Sequence, residues 1–283
     1  MRVLLIGANG MLGKDIVQEW RDDEITSATS RDADIRNCDE VERLITATRP
    51  DWIVLTAAYT DVDGSERDPE AAFAVNAQGA ENVAIMAQKY GAKVLYVSTD
   101  YVFDGKGTRP YEPGDPIAPI NVYGESKARG EKAIQDNVQD WCIVRTSWLF
   151  GASGSSFPEK ILRAAETRPE LTVVSDQVGS PTFTRDLASS IRSLVHADAR
   201  GFVNVTNSGT CSWFEFASEI LRQAGKNNPV RAINTTQAAR AAKRPAYSVL
   251  SPAALNALGI HVRHWRDTLP PYLDELRKMG KLA

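Results

Sequence analysis

Through the first half of the chain, short apolar runs rich in β-branched residues alternate with longer amphipathic segments. Val3–Ile6, Trp52–Thr56, Lys93–Ser98 and Cys142–Thr146 predict strands, with a weaker one at Ile25–Thr29. Runs this short and continuous suit strands covered on both faces. Between them, Met11–Arg21, Cys38–Thr48, Pro69–Tyr90 and Glu125–Asn137 predict helices. In the first, Leu12, Ile16 and Trp20 recur every fourth residue and share one face. Such alternation builds parallel β-α-β units. The expected fold class is α/β: a Rossmann-like, doubly wound parallel sheet with a smaller C-terminal substrate-binding part.

After about Gly151 the pattern loosens. Strand-like Leu171–Ser175 and Phe202–Val205 flank the helical Arg185–Val195. Trp213–Gln223 and Asp267–Lys278 predict further helices, the second following Trp265. No repeat or low-complexity tract interrupts them. The expected division is a sheet domain over residues 1–150 and a second part over 151–283, with some of its segments returning to the sheet.

Composition narrows the function classes. The 283 residues suffice for a sizeable core, and 33 basic against 36 acidic residues leave a net charge of −3. No basic excess calls for nucleic acid. Cys38, Cys142 and Cys211 are far apart and lack the spacing of a metal site or disulfide framework, so they read as reduced, packed thiols. The leading apolar run ends at Gly7, short of the roughly 7–15 residues of a secretory signal. No later run approaches the roughly 20 residues of a membrane span. A soluble cytoplasmic protein without membrane or nucleic-acid partners is expected.

Three constellations carry chemistry. Gly7-Ala8-Asn9-Gly10-Met11-Leu12-Gly13 closes the first strand and opens the first helix. Glycines there allow a tight turn and close approach to a pyrophosphate, and the helix N-terminus offers unpaired N–H groups. The acid that NAD proteins place about 20 residues further on is not evident. Thr29-Ser30-Arg31 ends the second strand instead, and a hydroxyl with a guanidinium suits a 2′-phosphate. NADPH is therefore favoured, with NADH as the alternative and Asp32 as the acid if the strand runs longer. Second, Tyr123-Gly124-Glu125-Ser126-Lys127 puts a phenol and an ammonium four residues apart, where the cation lowers the phenol pKa toward acid/base use. Third, Ser98-Thr99 follows a strong strand, at the carboxyl end where such sheets bind ligands.

Together these motifs resemble the extended short-chain dehydrogenase/reductase family and, within it, the dTDP-4-dehydrorhamnose reductases. The resemblance spans nearly the whole chain. It rests on Ala57-Ala58-Tyr59-Thr60-Asp61-Val62-Asp63, Val75-Asn76-Ala77, Ser98 to Gly105, Pro119 to Gly124, Arg145 to Phe150, Asp176 to Thr182 and Arg244-Pro245. It implies an NAD(P)-binding domain over 1–150 and NADPH-dependent reduction of the C4 ketone of dTDP-4-dehydro-β-L-rhamnose, giving dTDP-β-L-rhamnose. By similarity, Gly7, Gly10, Met11, Leu12 and Gly13 cradle the pyrophosphate, Ser30 and Arg31 lie at the adenosine ribose, and Asp34 and Ile35 at the adenine. Ala57, Ala58 and Tyr59 lead toward the nicotinamide, joined there by Val97. Tyr123 is implied as proton donor to the C4 oxygen, and Thr99 binds the same oxygen. Lys127 holds the nicotinamide ribose and depresses the phenol pKa. Trp148 packs on the sugar, Val62, Asp100 and Tyr101 line its pocket, and Arg244 faces the dTDP diphosphate.

The chain also departs from its likeness. Some of those reductases dimerise through a magnesium ion held by glutamates, one expected just after Pro181-Thr182. Phe183-Thr184-Arg185 stands there, and a guanidinium does not ligate magnesium. No metal is expected, and a monomer or weak homodimer follows. The rivals are another nucleotide-sugar 4-reductase, epimerase or dehydratase, and a non-catalytic regulatory subunit of the methionine adenosyltransferase type. Related dehydratases follow the threonine with two acids, whereas Asp100 is followed by Tyr101. A pure scaffold has no need of Thr99, Tyr123 and Lys127 together.

Overall fold

A computed structural model describes residues 1–282. Six parallel strands form the central sheet: β1 (Arg2–Ile6), β2 (Glu24–Ala28), β3 (Trp52–Leu55), β4 (Lys93–Thr99), β5 (Trp141–Thr146) and the segment Gly201–Asn204. Their order is Gly201–Asn204, β5, β4, β3, β1, β2. The helices that concern the site are α1 (Met11–Glu19), α2 (Cys38–Thr48), α3 (Val62–Arg67), α4 (Pro69–Phe73), α5 (Gly79–Tyr90), α6 (Val122–Asn137), α7 (Phe157–Thr167), α8 (Thr184–His196) and α9 (Trp213–Gln223).

The continuous apolar runs are explained by what covers the sheet. Val3, Leu5, Val54, Leu95 and Val144 face Leu12 and Ile16 of α1, Trp20 just after it, and Leu187, Ile191 and Leu194 of α8. Leu4, Ile53, Val94, Tyr96 and Ile143 face Val41 and Ile45 of α2, Val83 of α5 and Ile134 of α6. Alternate residues of one strand thus enter two separate cores, so no position is left for polar alternation. A third core joins Phe150, Phe183, α7, α9 and the helix Trp265–Lys278, beside a parallel pair made by Leu171–Val174 and Val230–Ile233.

The chain leaves β1 toward β2 on one side and returns to β3 on the other, so the strand order reverses between β1 and β3. Ligands of doubly wound sheets bind beyond the carboxyl ends at such a point.

Three elements differ from the sequence pattern. Pro69–Tyr90 is broken by a π-helical turn at Ala74–Gln78, and Asn76 within it clamps the backbone of Tyr59 from both sides (2.8 and 3.0 Å). Helix α6 begins at Val122 rather than Glu125, because the Asn121 side chain accepts from Gly124 N–H at 2.8 Å. Glu66 of α3 accepts from Val122 N–H at 2.9 Å, so Tyr123 stands in a fixed first turn. The last helix starts at Trp265, which is fully buried, rather than at Asp267. No described helix is long and apolar enough to cross a membrane.

Candidate active site

A cavity of about 930 Å³ runs along the carboxyl ends of β1 to β5, from the loop after β2, past the glycine turn, to Tyr123 and Trp148. The turn is built by exclusion. Gly7 has φ +101°, and a Cβ there would stand 2.6 Å from the Ala57 nitrogen. A Cβ at Gly13 would stand 2.2 Å from the Gly7 carbonyl oxygen. Helix α1 therefore starts tight against β1. Gly10 supplies no side-chain cap, so the first amides of α1, at Met11 and Leu12, remain for a ligand.

Ser30, Asp34 and Ile35 line the far end of the cavity, whereas Arg31 is exposed and outside its lining. The cation that lines this end is Arg36, which the sequence pattern had not singled out. Its guanidinium chelates Asp34 at 2.6–3.0 Å. Asp32 is turned back onto the loop, accepting from the Thr29 N–H and hydroxyl at 2.8 Å each, and those bonds hold its carboxyl below the usual range. The acid that would grip a ribose diol is thus already engaged.

Ala57, Ala58 and Tyr59 line the middle. At the near end Val97, Thr99, Tyr123 and Lys127 meet. Burial pushes the Tyr123 phenol up to about 12, against the Thr99 hydroxyl, which lowers it, and with buried Asp100 adding to the rise. Lys127 is 1 % exposed; its Nζ donates to the Val97 carbonyl at 2.8 Å and lies 3.9 Å from the Tyr96 ring centre. Burial pulls it down to about 7, opposed by the Glu131 carboxylate. Here Lys127 does not offset the rise of the Tyr123 phenol, which burial dominates. Both groups are desolvated, the amine is bonded elsewhere, and it holds only part of its charge near neutrality.

Asp100 is buried, accepts from the Thr99 hydroxyl at 3.0 Å, and is pushed up to about 6 by desolvation. The Tyr101 ring meets the Tyr123 ring edge-on at 5.6 Å. Gly124 makes that approach possible, since a Cβ there would lie 2.2 Å from the Tyr101 carbonyl oxygen. Val62 and Trp148 also line the cavity. Arg244 does not; it pairs with Asp63 at 3.1 Å and donates to the Ala242 carbonyl. Ser98 and Thr146 line the cavity with buried hydroxyls that have no partner, which fits a polar ligand.

Sequence reasoning missed Arg36, Thr56, Thr146, Ser147 and Ser155 of the lining. Thr56 and Thr146 stood at strand ends, the signal that had singled out Ser98; Ser155 carried none. Arg185 lies 2.8 Å from Glu275 and 3.6 Å from Glu19, a cation among carboxylates. Among the described residues no cluster of His, Cys, Asp and Glu has the makings of a metal site.

A doubly wound sheet, a glycine turn at its reversal point and a Thr–Tyr–Lys set, with Thr99 and Lys127 buried and Tyr123 half-buried, define the class, a nucleotide-dependent oxidoreductase of the short-chain dehydrogenase/reductase kind. The family model described as RmlD substrate binding domain matches residues 1–278, and the chain belongs to that family. It is 41 % identical to the spore coat polysaccharide biosynthesis protein SpsK of Bacillus subtilis (strain 168), over 97 % of each chain. It is 38 % identical to a dTDP-4-dehydrorhamnose reductase of Streptomyces griseus, over 95 % of this chain and 91 % of that one. The crystal structure of dTDP-4-dehydrorhamnose reductase from Bacillus anthracis str. Ames in complex with NADP is similar at a TM-score of 0.94. Its identity is 39 %, with 97 % of this chain and 99 % of that one covered.

Proposed function

We propose that the protein uses NADPH to reduce the C4 ketone of dTDP-4-dehydro-β-L-rhamnose, giving dTDP-β-L-rhamnose in dTDP-L-rhamnose biosynthesis. The observation that carries this reading is the half-buried Tyr123 phenol, held protonated beside the buried Thr99 hydroxyl in the cavity that also contains the glycine turn. Relatives named for this activity support it.

Ketone reduction needs a proton at the oxygen, and a phenol pushed up to about 12 carries one throughout the physiological range. Thr99 binds the same oxygen and offsets the negative charge that builds there. Bound NADPH supplies the hydride. Gly7, Gly10, Met11, Leu12 and Gly13 hold its diphosphate, Ser30, Asp34 and Ile35 its adenosine, and Arg31 and Arg36 its 2′-phosphate. Ala57, Ala58 and Tyr59 hold its middle, and Val97 and Lys127 its nicotinamide ribose. The sugar lies among Val62, Asp100, Tyr101 and Trp148, with Arg244 beside the dTDP diphosphate once it leaves Asp63. With Tyr101 in place of a second acid, the site lacks the pair that elimination of water uses, which favours reduction. The protein works in the cytoplasm as a monomer or weak homodimer, with Arg185 supplying the positive charge among Glu19 and Glu275.

Consumption of NADPH with freshly made dTDP-4-dehydro-β-L-rhamnose tests the reading. Tyr123→Phe keeps the ring and loses the proton, so turnover falls by roughly 100- to 10,000-fold with NADPH affinity little changed. Wild-type protein that consumes NADPH with no dTDP-keto sugar, yet binds a protein partner tightly, would support the regulatory-subunit reading instead.

A further inference from the structure

Trp148 is the one aromatic of the cavity wall held in the left-handed backbone region, at φ +47°. A bulky residue there is a true outlier and persists only where its surroundings over-determine it. Those surroundings are built. One face of the Trp148 indole is covered by Trp213 in a parallel stack, ring centres 3.5 Å apart and planes 8° from parallel. The edge bearing Nε1 runs so close to Gly179 that a Cβ there would stand 2.5 Å from the indole.

The two supports are themselves tied together. Cys211 pairs with Gly179 and Ser212 with Val178 in a short antiparallel ladder. Ser212 then caps α9 through a reciprocal bond with Glu215, which places Trp213 at the first position of the helix. Phe157 of α7 packs on Trp213 at 4.5 Å, and Phe216 anchors α9 in the core behind. Trp148 itself is fixed at its carbonyl, which accepts from Thr182 N–H at 3.2 Å.

We propose that Trp213 is a positioning residue that fixes the Trp148 indole as a rigid wall for the apolar face of a 6-deoxy sugar. This rests on the reading of Trp148 as the sugar-facing aromatic. A wall fixed before binding loses no rotamer freedom when the sugar arrives, so its effect falls on sugar affinity alone and not on the nucleotide.

Titration calorimetry with dTDP-L-rhamnose and with dTDP, each in the presence of NADP⁺, separates the two. In Trp213→Leu, affinity for the sugar nucleotide falls about tenfold, the upper end of what one aromatic pair contributes, while dTDP and NADPH bind as in wild type. Trp213→Phe restores most of the loss, because a ring can still stack. Gly179→Ala attacks the same wall from its other edge and gives the same sugar-selective loss, so the inference stays testable if Trp213→Leu does not fold. Near-ultraviolet circular dichroism reports the indole pair independently: its coupled signal disappears in Trp213→Leu. Signal lost with sugar affinity unchanged overturns the inference, as does equal weakening of dTDP and dTDP-L-rhamnose. Wild-type protein that binds dTDP but discriminates nothing in the sugar also overturns it. Wild-type protein that binds neither overturns the functional reading and the inference with it.

Discussion

Lys127 should destabilise the ligand-free fold, and replacing it by methionine should make the protein more stable and inactive. Its Nζ is buried, with one hydrogen bond to Val97 and a contact to the Tyr96 ring. Burial takes its pKa from 10.5 to about 7. At about 1.36 kcal/mol per unit, holding the amine in the fold near neutrality costs on the order of 4 kcal/mol. The sign follows from proton counts. Between about pH 7 and 10.5 the unfolded lysine binds more protons than the folded one, so stability rises with pH across that window. Below it the cost is present in full. Methionine matches the length without the charge, but leaves the Val97 carbonyl unpaired at about 1–3 kcal/mol and loses the ring contact. Lys127→Met should therefore gain about 1–2 kcal/mol near pH 7, gain slightly more about one unit lower, and fall below wild type near pH 10. Urea unfolding of the ligand-free proteins at those three pH values reads the difference. A variant less stable than wild type at neutral and acidic pH, or a difference that ignores pH, would refute the reasoning.

Other consequences are simpler to state. Gly13→Ala drives a methyl into the Gly7 carbonyl oxygen; it should cost about 1–3 kcal/mol in thermal unfolding and abolish NADPH binding in a fluorescence titration. Arg36→Ala removes the lining cation and frees Asp34 at the far end of the cavity. NADPH affinity should fall roughly tenfold with NADH affinity kept or improved; equal loss of both would place the 2′-phosphate elsewhere. Glu131→Ala leaves Arg145 charged and buried, having lost bonds of 2.7 and 2.9 Å. About 3–5 kcal/mol of unfolding free energy should go with it, measured in urea.

The sheet was legible because strands inside two cores are apolar along their buried length, and Val3–Ile6 and Trp52–Leu55 hold nothing else. The glycine turn was legible because Gly7 and Gly13 sit where any side chain would strike backbone. The π-helical turn was not, since Val75-Asn76-Ala77 continues the helical pattern on both sides and the clamp on Tyr59 is a tertiary contact. The start of α6 was missed because Val122-Tyr123-Gly124 has no apolar period; only the Asn121 cap marked it. Arg36 was missed because the loop between β2 and α2 has no periodicity to say which side chains turn inward. The depth of Tyr123 and Lys127 was not legible, because a Y-x-x-x-K spacing says nothing of burial, which pushes the phenol up and the amine down. Trp213 lies 65 positions from Trp148, and only the ladder between Gly179 and Cys211 brings them together.

The central claim is hydride delivery to C4 of a dTDP-keto sugar with a proton from Tyr123. NADPH deuterated at the transferable position of its nicotinamide, used with dTDP-4-dehydro-β-L-rhamnose, tests it most directly by NMR of the sugar product. Deuterium at C4 of dTDP-β-L-rhamnose, at a rate that collapses in Tyr123→Phe, is the result predicted. Deuterium absent from the sugar or placed at another carbon would contradict the account.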